Sequence, residues 1–300
     1  MLALLLMLWP LFALILLGHL LRRFGFPGEA FWPGAERLNY FLLFPALLFS
    51  NLATAPLDSP HLPAMSGAVL LTLALGWLGL LLLKKRYQWP ARRFGVLVQG
   101  LLRFNTYLGL AIVASLFGPE GTVRAALILG LLVPSANLLS VWALSAERGF
   151  SLQALLSVLK NPLILACAAG ALVNLSGIGL PGGSARLLAL LAAASLPLGL
   201  LCVGAAIHAQ GLAQQGQALG WNSAARLLLM PLLAFGVAKV LGLQPLESSL
   251  LVLFFALPTA PTAYTLTRQL GGDSSLMANL ISLQTLLAAF SLPLVLMLLE

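Results

Sequence analysis

Apolar residues in this chain come in runs about 20 residues long, the length of α-helix that crosses the hydrocarbon of a bilayer. Such a run must be helical in lipid, because no water is there to bond the backbone and a helix satisfies its own N–H and C=O groups. Reading the runs between Pro, Gly and charged residues predicts helices near 2-21, 38-54, 63-83, 95-117, 123-145, 157-175, 185-207, 222-242, 247-268 and 275-299. The expectation is an all-α, polytopic membrane protein of about ten transmembrane helices. With 60% of residues hydrophobic and 8% charged, a water-soluble fold is excluded. The first run, Leu2 to Leu21, has no basic residue before it, no small-x-small cleavage site after it, and Arg22-Arg23 on its far side, so it reads as a membrane helix and not as a signal peptide.

Charge is scarce, and 16 Lys+Arg against 8 Asp+Glu then reads as a topology signal and not as a nucleic-acid footprint. The odd-numbered connections hold Arg22, Arg23, Arg37, Lys84, Lys85, Arg86, Arg92, Arg93, Arg148, Lys160, Arg226 and Arg268, while the even ones hold Arg124, Arg186 and Lys239. Twelve against three makes the odd loops cytoplasmic and puts both termini outside the cell membrane. Cys167 and Cys202 lie inside apolar segments without CxxC spacing, and His19, His61 and His208 are far apart, so neither a disulfide, a metal site nor a cofactor is indicated. No two acids sit at helical spacing inside one apolar segment, which leaves an intramembrane protease or other enzyme without its groups.

The chain repeats itself at an offset of 152 residues. Trp9-Pro10-Leu11 falls on Asn161-Pro162-Leu163, Gly18 on Gly170, Gly25 on Gly177 and Pro45 on Pro197. Leucine matches mean little here, whereas prolines and glycines each alter the backbone of a membrane helix. The implied organisation is a first five-helix repeat (1-145), a short cytoplasmic connection (146-156) and a second five-helix repeat (157-300). Five is odd, so the second repeat enters from the opposite side. Inverted repeats are a transporter signature, with substrate held near the midplane where the repeats meet.

Polar and helix-breaking residues at membrane depth mark where that site should be. The fourth helix carries Gln99, Arg103, Asn105, Thr106 and Tyr107, the fifth Pro134, Ser135, Asn137 and Ser140, and the ninth Pro258-Thr259-Ala260-Pro261-Thr262-Ala263-Tyr264. Two prolines three residues apart remove two backbone donors, so half-helices are expected in the ninth, one beginning near Pro261 with its positive end available to a carboxylate. The alternative is a proline kink that only shapes packing. Arg103 lies some nine residues into its helix, roughly 13 Å from its start at the helical rise, and needs a partner. The eight acids all fall in connections or at helix ends, leaving backbone carbonyls, water or an anionic ligand; the alternative is a pair with Asp273 or Glu247.

Several motifs in order resemble the auxin efflux carrier family, which includes plant auxin exporters and bacterial carriers of malate and malonate. They are Leu38-Asn39-Tyr40 leading to Phe44-Pro45-Ala46-Leu47-Leu48-Phe49, then Arg103-Phe104-Asn105-Thr106-Tyr107-Leu108-Gly109, and Val133-Pro134-Ser135-Ala136-Asn137-Leu138-Leu139-Ser140-Val141. Lys160-Asn161-Pro162-Leu163, Leu196-Pro197-Leu198-Gly199-Leu200, Leu257-Pro258-Thr259-Ala260 and Arg268-Gln269-Leu270-Gly271-Gly272-Asp273 follow. The resemblance implies ten helices in two inverted repeats, the fourth and ninth broken and crossing at the substrate site. Plant members carry Pro-Asn-Thr at that crossing, with the asparagine on the substrate carboxylate; Asn105-Thr106 matches, with Phe104 in place of proline. Without that proline the break in the fourth helix is less secure, and Arg103 beside it suggests a more anionic substrate than a plant hormone.

The mechanism expected is alternating access, in which the helices bearing the crossing carry a small organic anion against a scaffold. Arg103, Asn105, Thr106 and Tyr107 would bind from one repeat and Pro258, Thr259, Pro261, Thr262 and Tyr264 from the other, with Asn137 and Gln284 in support. Two readings compete: a sodium symporter of bile-acid-transporter type, which needs a cage of oxygen ligands, and a membrane receptor or scaffold that transports nothing. Partners are the anion and membrane lipid; a homodimer is left open.

Overall fold

The computed structural model describes residues 2–54, 62–145, 162–207 and 215–297. The connection 146-156, Lys160-Asn161, Asp58, Glu147, Glu300, His61 and His208 lie outside the described residues. All regular structure among the described residues is helical. In chain order the elements are α1 (Leu2–Arg23), α2 (Phe31–Leu38), a π-helical turn (Asn39–Leu43), α3 (Phe44–Ala53), α4 (Leu62–Tyr87), α5 (Ala91–Leu102) and α6 (Thr106–Ser145). After them come α7 (Pro162–Ser176), α8 (Ser184–Ala205), α9 (Gly216–Ala224), a second π-helical turn (Ala225–Leu229), α10 (Met230–Val240), α11 (Pro245–Ala256), α12 (Thr262–Gln269) and α13 (Ser274–Met297). Six stretches of the described residues are long and apolar enough to cross a membrane, and one of them, Ala91–Ser145, runs for 55 residues. α6 bends within it at Gly118 (φ 59°, ψ −154°), the residue before Pro119. These lengths make the protein a multi-pass, all-helical membrane protein.

Both π-helical turns have a visible cause. A proline two residues after each turn, Pro45 or Pro231, has no N–H, and its ring crowds the carbonyl four residues back. The helix widens ahead of it, so that Phe44 N–H bonds Asn39 O and Met230 N–H bonds Ala225 O, five residues back.

The chain forms two compact units, each assembled from both halves of the sequence. One comprises residues 1–62, 107–130 and 159–206; the other comprises 63–106, 131–158 and 207–300. In the first, α1 packs on α8 and α3 on α7 and α8. Glycines permit the approach. A Cβ on Gly18 would collide with the backbone of Leu201, one on Gly204 with the carbonyl of Ile15, and one on Gly170 would sit 2.6 Å from the carbonyl oxygen of Phe49. The pairs Gly18–Leu201 and Gly170–Phe49 exchange under the offset of 152, since 18 and 170, and 49 and 201, each differ by it. Arg22 Nη1 donates to Ala205 O at 2.7 Å, and Asn174, 152 residues after Arg22, donates from Nδ2 to Leu52 O at 3.0 Å.

The second unit has an apolar centre of Val96, Leu97, Ala218, Leu219, Ala263, Leu276, Met277, Leu280 and Ile281, with Trp89, Trp221 and Leu283 against it. That centre joins α5, α9, α12 and α13.

Candidate functional site

α5 ends at Leu102 and α6 begins at Thr106, with Arg103, Phe104 and Asn105 between them outside any helix. Arg103 has an extended backbone (φ −81°, ψ 151°). The interruption exists without a proline because its backbone groups find other partners. Asn105 N–H, which in a continuous helix would bond Leu101 O, donates instead to Pro258 O at 2.7 Å. Phe104 is buried with its ring edge-on to Phe254 at 5.7 Å, which anchors the turn on α11.

α11 ends at Ala256 and α12 begins at Thr262. Here the prolines act directly. Phe254 O and Leu257 O would take the amides of residues 258 and 261, and both are proline. Those two carbonyls and that of Leu101 all accept from one side chain: Arg226 donates from Nε to Leu257 O at 2.6 Å, from Nη1 to Leu101 O at 2.6 Å and from Nη2 to Phe254 O at 2.8 Å. Its guanidinium thus supplies the three donors that the two breaks remove. Arg226 is fully buried and lies in the second π-helical turn. Its place among the cytoplasmic loop charges, expected from sequence, is corrected: Arg226 belongs to the crossing, which leaves eleven loop cations against three and the sign of the bias unchanged.

A layer of neutral polar groups holds the crossing together. Gln284 Oε1 accepts Thr259 N–H at 3.0 Å and lies 2.7 Å from Thr259 Oγ1, whose single proton it shares with Gly100 O at 2.9 Å. Gln284 Nε2 donates to Gly100 O at 3.1 Å and to Asn222 Oδ1 at 3.2 Å, and Asn222 Nδ2 donates to Leu97 O at 3.0 Å. Gln99, Asn222, Thr259 and Gln284 are each fully buried. Buried groups so interlocked fix the backbone between them, since any one left unpaired would cost about 1–3 kcal/mol.

Arg103 is half-buried and reaches from one break to the other. Nη1 donates to Gln99 Oε1 at 3.1 Å and Nη2 to Thr262 Oγ1 at 3.0 Å, while Gln99 Nε2 donates to Thr267 Oγ1 at 2.8 Å. The acids weighed as its partners serve their own helices: Asp273 Oδ1 accepts Leu276 N–H at 3.0 Å, and Glu247 Oε2 accepts Gln244 N–H at 3.4 Å in a capping box.

Of the residues singled out from sequence, Arg103, Asn105, Pro258, Thr259, Thr262 and Gln284 are joined by these bonds, and Thr106 and Pro261 adjoin them in the chain. Tyr107 falls in the other compact unit, its ring edge-on to Phe44 at 4.7 Å. Asn137 is half-buried on α6 and Tyr264 is partly exposed with Arg268 over its ring; neither enters the hydrogen-bonded cluster. Sequence reasoning passed over Arg226, Asn222 and Thr267. For Arg226 the signal was present: it stands inside the apolar run 222-242, ahead of Pro231, where an ionisable residue is by default a functional one.

The arrangement has a definite electrostatic character. The negative, C-terminal ends of α5 and α11 are covered by a buried cation, a second cation lies alongside, and the two positive, N-terminal helix ends at Thr106 and Thr262 follow the breaks. Such a place favours an anion.

Comparison with known proteins agrees in kind. Residues 146–296 match the model of a family described as membrane transport protein. The chain is also similar to an uncharacterized transporter of Methanothermobacter thermautotrophicus, 30% identical over 292 residues, which covers 94% of this chain and 93% of that protein.

Proposed function

The chain belongs to the auxin efflux carrier family of membrane transport proteins, and from that premise we propose that it is a secondary transporter moving a small organic anion, a carboxylate such as malate, malonate or an auxin-like acid, across the cell membrane. The observation that carries the anion is Arg103, half-buried between two helix breaks that are tied by the bond from Asn105 N–H to Pro258 O. A guanidinium matches a carboxylate in charge and in its paired donors. The N-terminal ends of α6 and α12 follow the two breaks and bring the positive ends of their helix dipoles to them.

The helices are read as ten crossings in two inverted five-helix repeats, with both termini outside. Support comes from the exchange of the Gly18–Leu201 and Gly170–Phe49 contacts under the repeat offset. Alternating access is the motion proposed: the unit that holds α5, α11 and α12 carries the anion, and the unit that holds α1, α3, α7 and α8 is the scaffold.

The test is flux in proteoliposomes. Labelled malate, malonate and indole acetate should enter saturably and exchange with unlabelled anion inside, and Arg103→Gln should raise the half-saturating concentration at least tenfold. Absence of flux with every carboxylate offered would favour the receptor or scaffold reading.

A further inference from the structure

We propose that Arg226 is a tethered cation standing in a carbonyl cage that would otherwise take a diffusible monovalent cation, so that this crossing works without a coupling ion.

The cage is defined by where its oxygens come from. Leu101 O closes α5, and Phe254 O and Leu257 O close α11, so all three belong to C-terminal helix ends and carry the negative end of a helix dipole. Unwound carbonyls at the ends of broken membrane helices are the groups that bind sodium ions or protons in carriers of inverted-repeat architecture. In this chain the same groups converge on a guanidinium at 2.6–2.8 Å, and that guanidinium is completely buried. Its hydrogen-bond partners are neutral, so the crossing carries its charge as a net positive one. A purely structural device would not need the charge. Three carbonyls could be satisfied by a neutral amide and a buried water, at less desolvation cost than an arginine.

The fixed charge has two consequences. The C-terminal helix ends, which would repel a carboxylate, are neutralised at all times and not only when an ion is bound. The cage is also closed to sodium, because the space between its oxygens is filled by a side chain anchored in the π-helical turn Ala225–Leu229. The consequence for the anion rests on the function proposed above; the consequence for cation binding does not.

The experiment is a melting curve of purified protein in detergent, with sodium, potassium or choline chloride at equal ionic strength, and with low-millimolar guanidinium chloride. The wild type should melt at one temperature in all of them. Arg226→Ala should melt lower, and guanidinium or sodium should raise its melting temperature saturably. Purification of Arg226→Ala only when one of those cations is present would be the same result in another form. Arg226→Lys keeps the charge and should stay indifferent to the salt, whereas Arg226→Gln keeps donors without charge and should become cation-dependent. A saturable, sodium-specific shift in the wild type would overturn the proposal, as would Ala and Gln variants that ignore every cation, or that no cation recovers. Cation-dependent variants in a protein that moves no carboxylate would leave this inference standing and remove the function proposed above.

Discussion

The backbone N–H of Asn105 donates to the carbonyl of Pro258 at 2.7 Å, tying an interruption in one half of the chain to an interruption in the other. No side chain is involved, so no change of side chain short of proline at 105, which would delete the N–H, removes the link. The variants that report on the site are therefore those that change what surrounds the link.

Arg103→Gln is the first. Gln loses the charge, so binding of a carboxylate should weaken at least tenfold, about 1.4 kcal/mol, while the unliganded melting temperature should fall by no more than the buried bond to Gln99 costs, about 1–3 kcal/mol. Affinity by thermal shift against a panel of dicarboxylates measures the first quantity and the unliganded melt the second. Thr262→Val completes a double-mutant cycle, in which the two changes should fail to add because the residues are in contact.

Gln284→Leu should act on stability. The substitution leaves the Thr259 amide, the Gly100 carbonyl and the Asn222 side chain short of a partner in a dry interior. Each such orphan costs about 1–3 kcal/mol, so the melting temperature should fall by several degrees with Thr259→Val falling less. Equal melts for Gln284→Leu and wild type would show the layer to be dispensable.

Much of the fold was legible in the sequence for a simple reason. α4, α8 and α13 are long apolar runs closed by charge, Gly or Pro, and lipid leaves such runs no choice but helix. The break after α11 was legible because Pro258 and Pro261 remove donors locally. The break after α5 was less so. It depends on a swap, with Asn105 N–H going to Pro258 and Leu101 O going to Arg226, and both partners lie more than a hundred residues away. Arg226 itself was misplaced because counting loop cations treats any arginine near a helix end as exposed, whereas the π-helical turn ahead of Pro231 is what holds this one among carbonyls. Tyr107 shows what adjacency in sequence leaves open: it follows Thr106 directly, and its ring packs on Phe44 in the first unit.

The glycine contacts of the first unit yield a matched pair of variants. Gly18→Ala and Gly170→Ala each push a methyl into backbone of the facing helix and should destabilise by about 1–3 kcal/mol. Gly79, exposed on α4 with nothing within 4 Å of an added Cβ, is the control: Gly79→Ala should be neutral or stabilising by up to about 1 kcal/mol. Thermal melts of the three in one detergent separate close packing from helix propensity.

Topology is tested by labelling single cysteines in whole cells. Lys85 and Pro181 are both exposed, the first at the cationic end of α4 and the second in the turn before α8. With the loop charges drawn to the cytoplasm, Pro181→Cys should react with an impermeant maleimide from outside, and Lys85→Cys only after the membrane is opened. The reverse pattern would invert the whole reading.

The last prediction concerns what drives transport. Among the described acids, Asp273 and Glu247 serve at helix ends and Glu29 and Glu120 pair with Arg22 and Arg124, while the carbonyls at the crossing that could hold sodium hold Arg226. Movement of the anion should then follow its own gradient and the membrane potential, which acts on one net charge with about 2.3 kcal/mol per 100 mV. In proteoliposomes held at a set voltage, uptake of the carboxylate that binds best should be unchanged when sodium is replaced by potassium. A pH gradient should alter it only as far as it alters ionisation of the substrate. Stepping the voltage by 100 mV should shift the equilibrium accumulation of a monoanion close to fifty-fold, the ratio that 2.3 kcal/mol implies with about 1.4 kcal/mol per factor of ten. Accumulation against the electrochemical gradient that depends on sodium would overturn this and move the bile-acid-type symporter reading to first place.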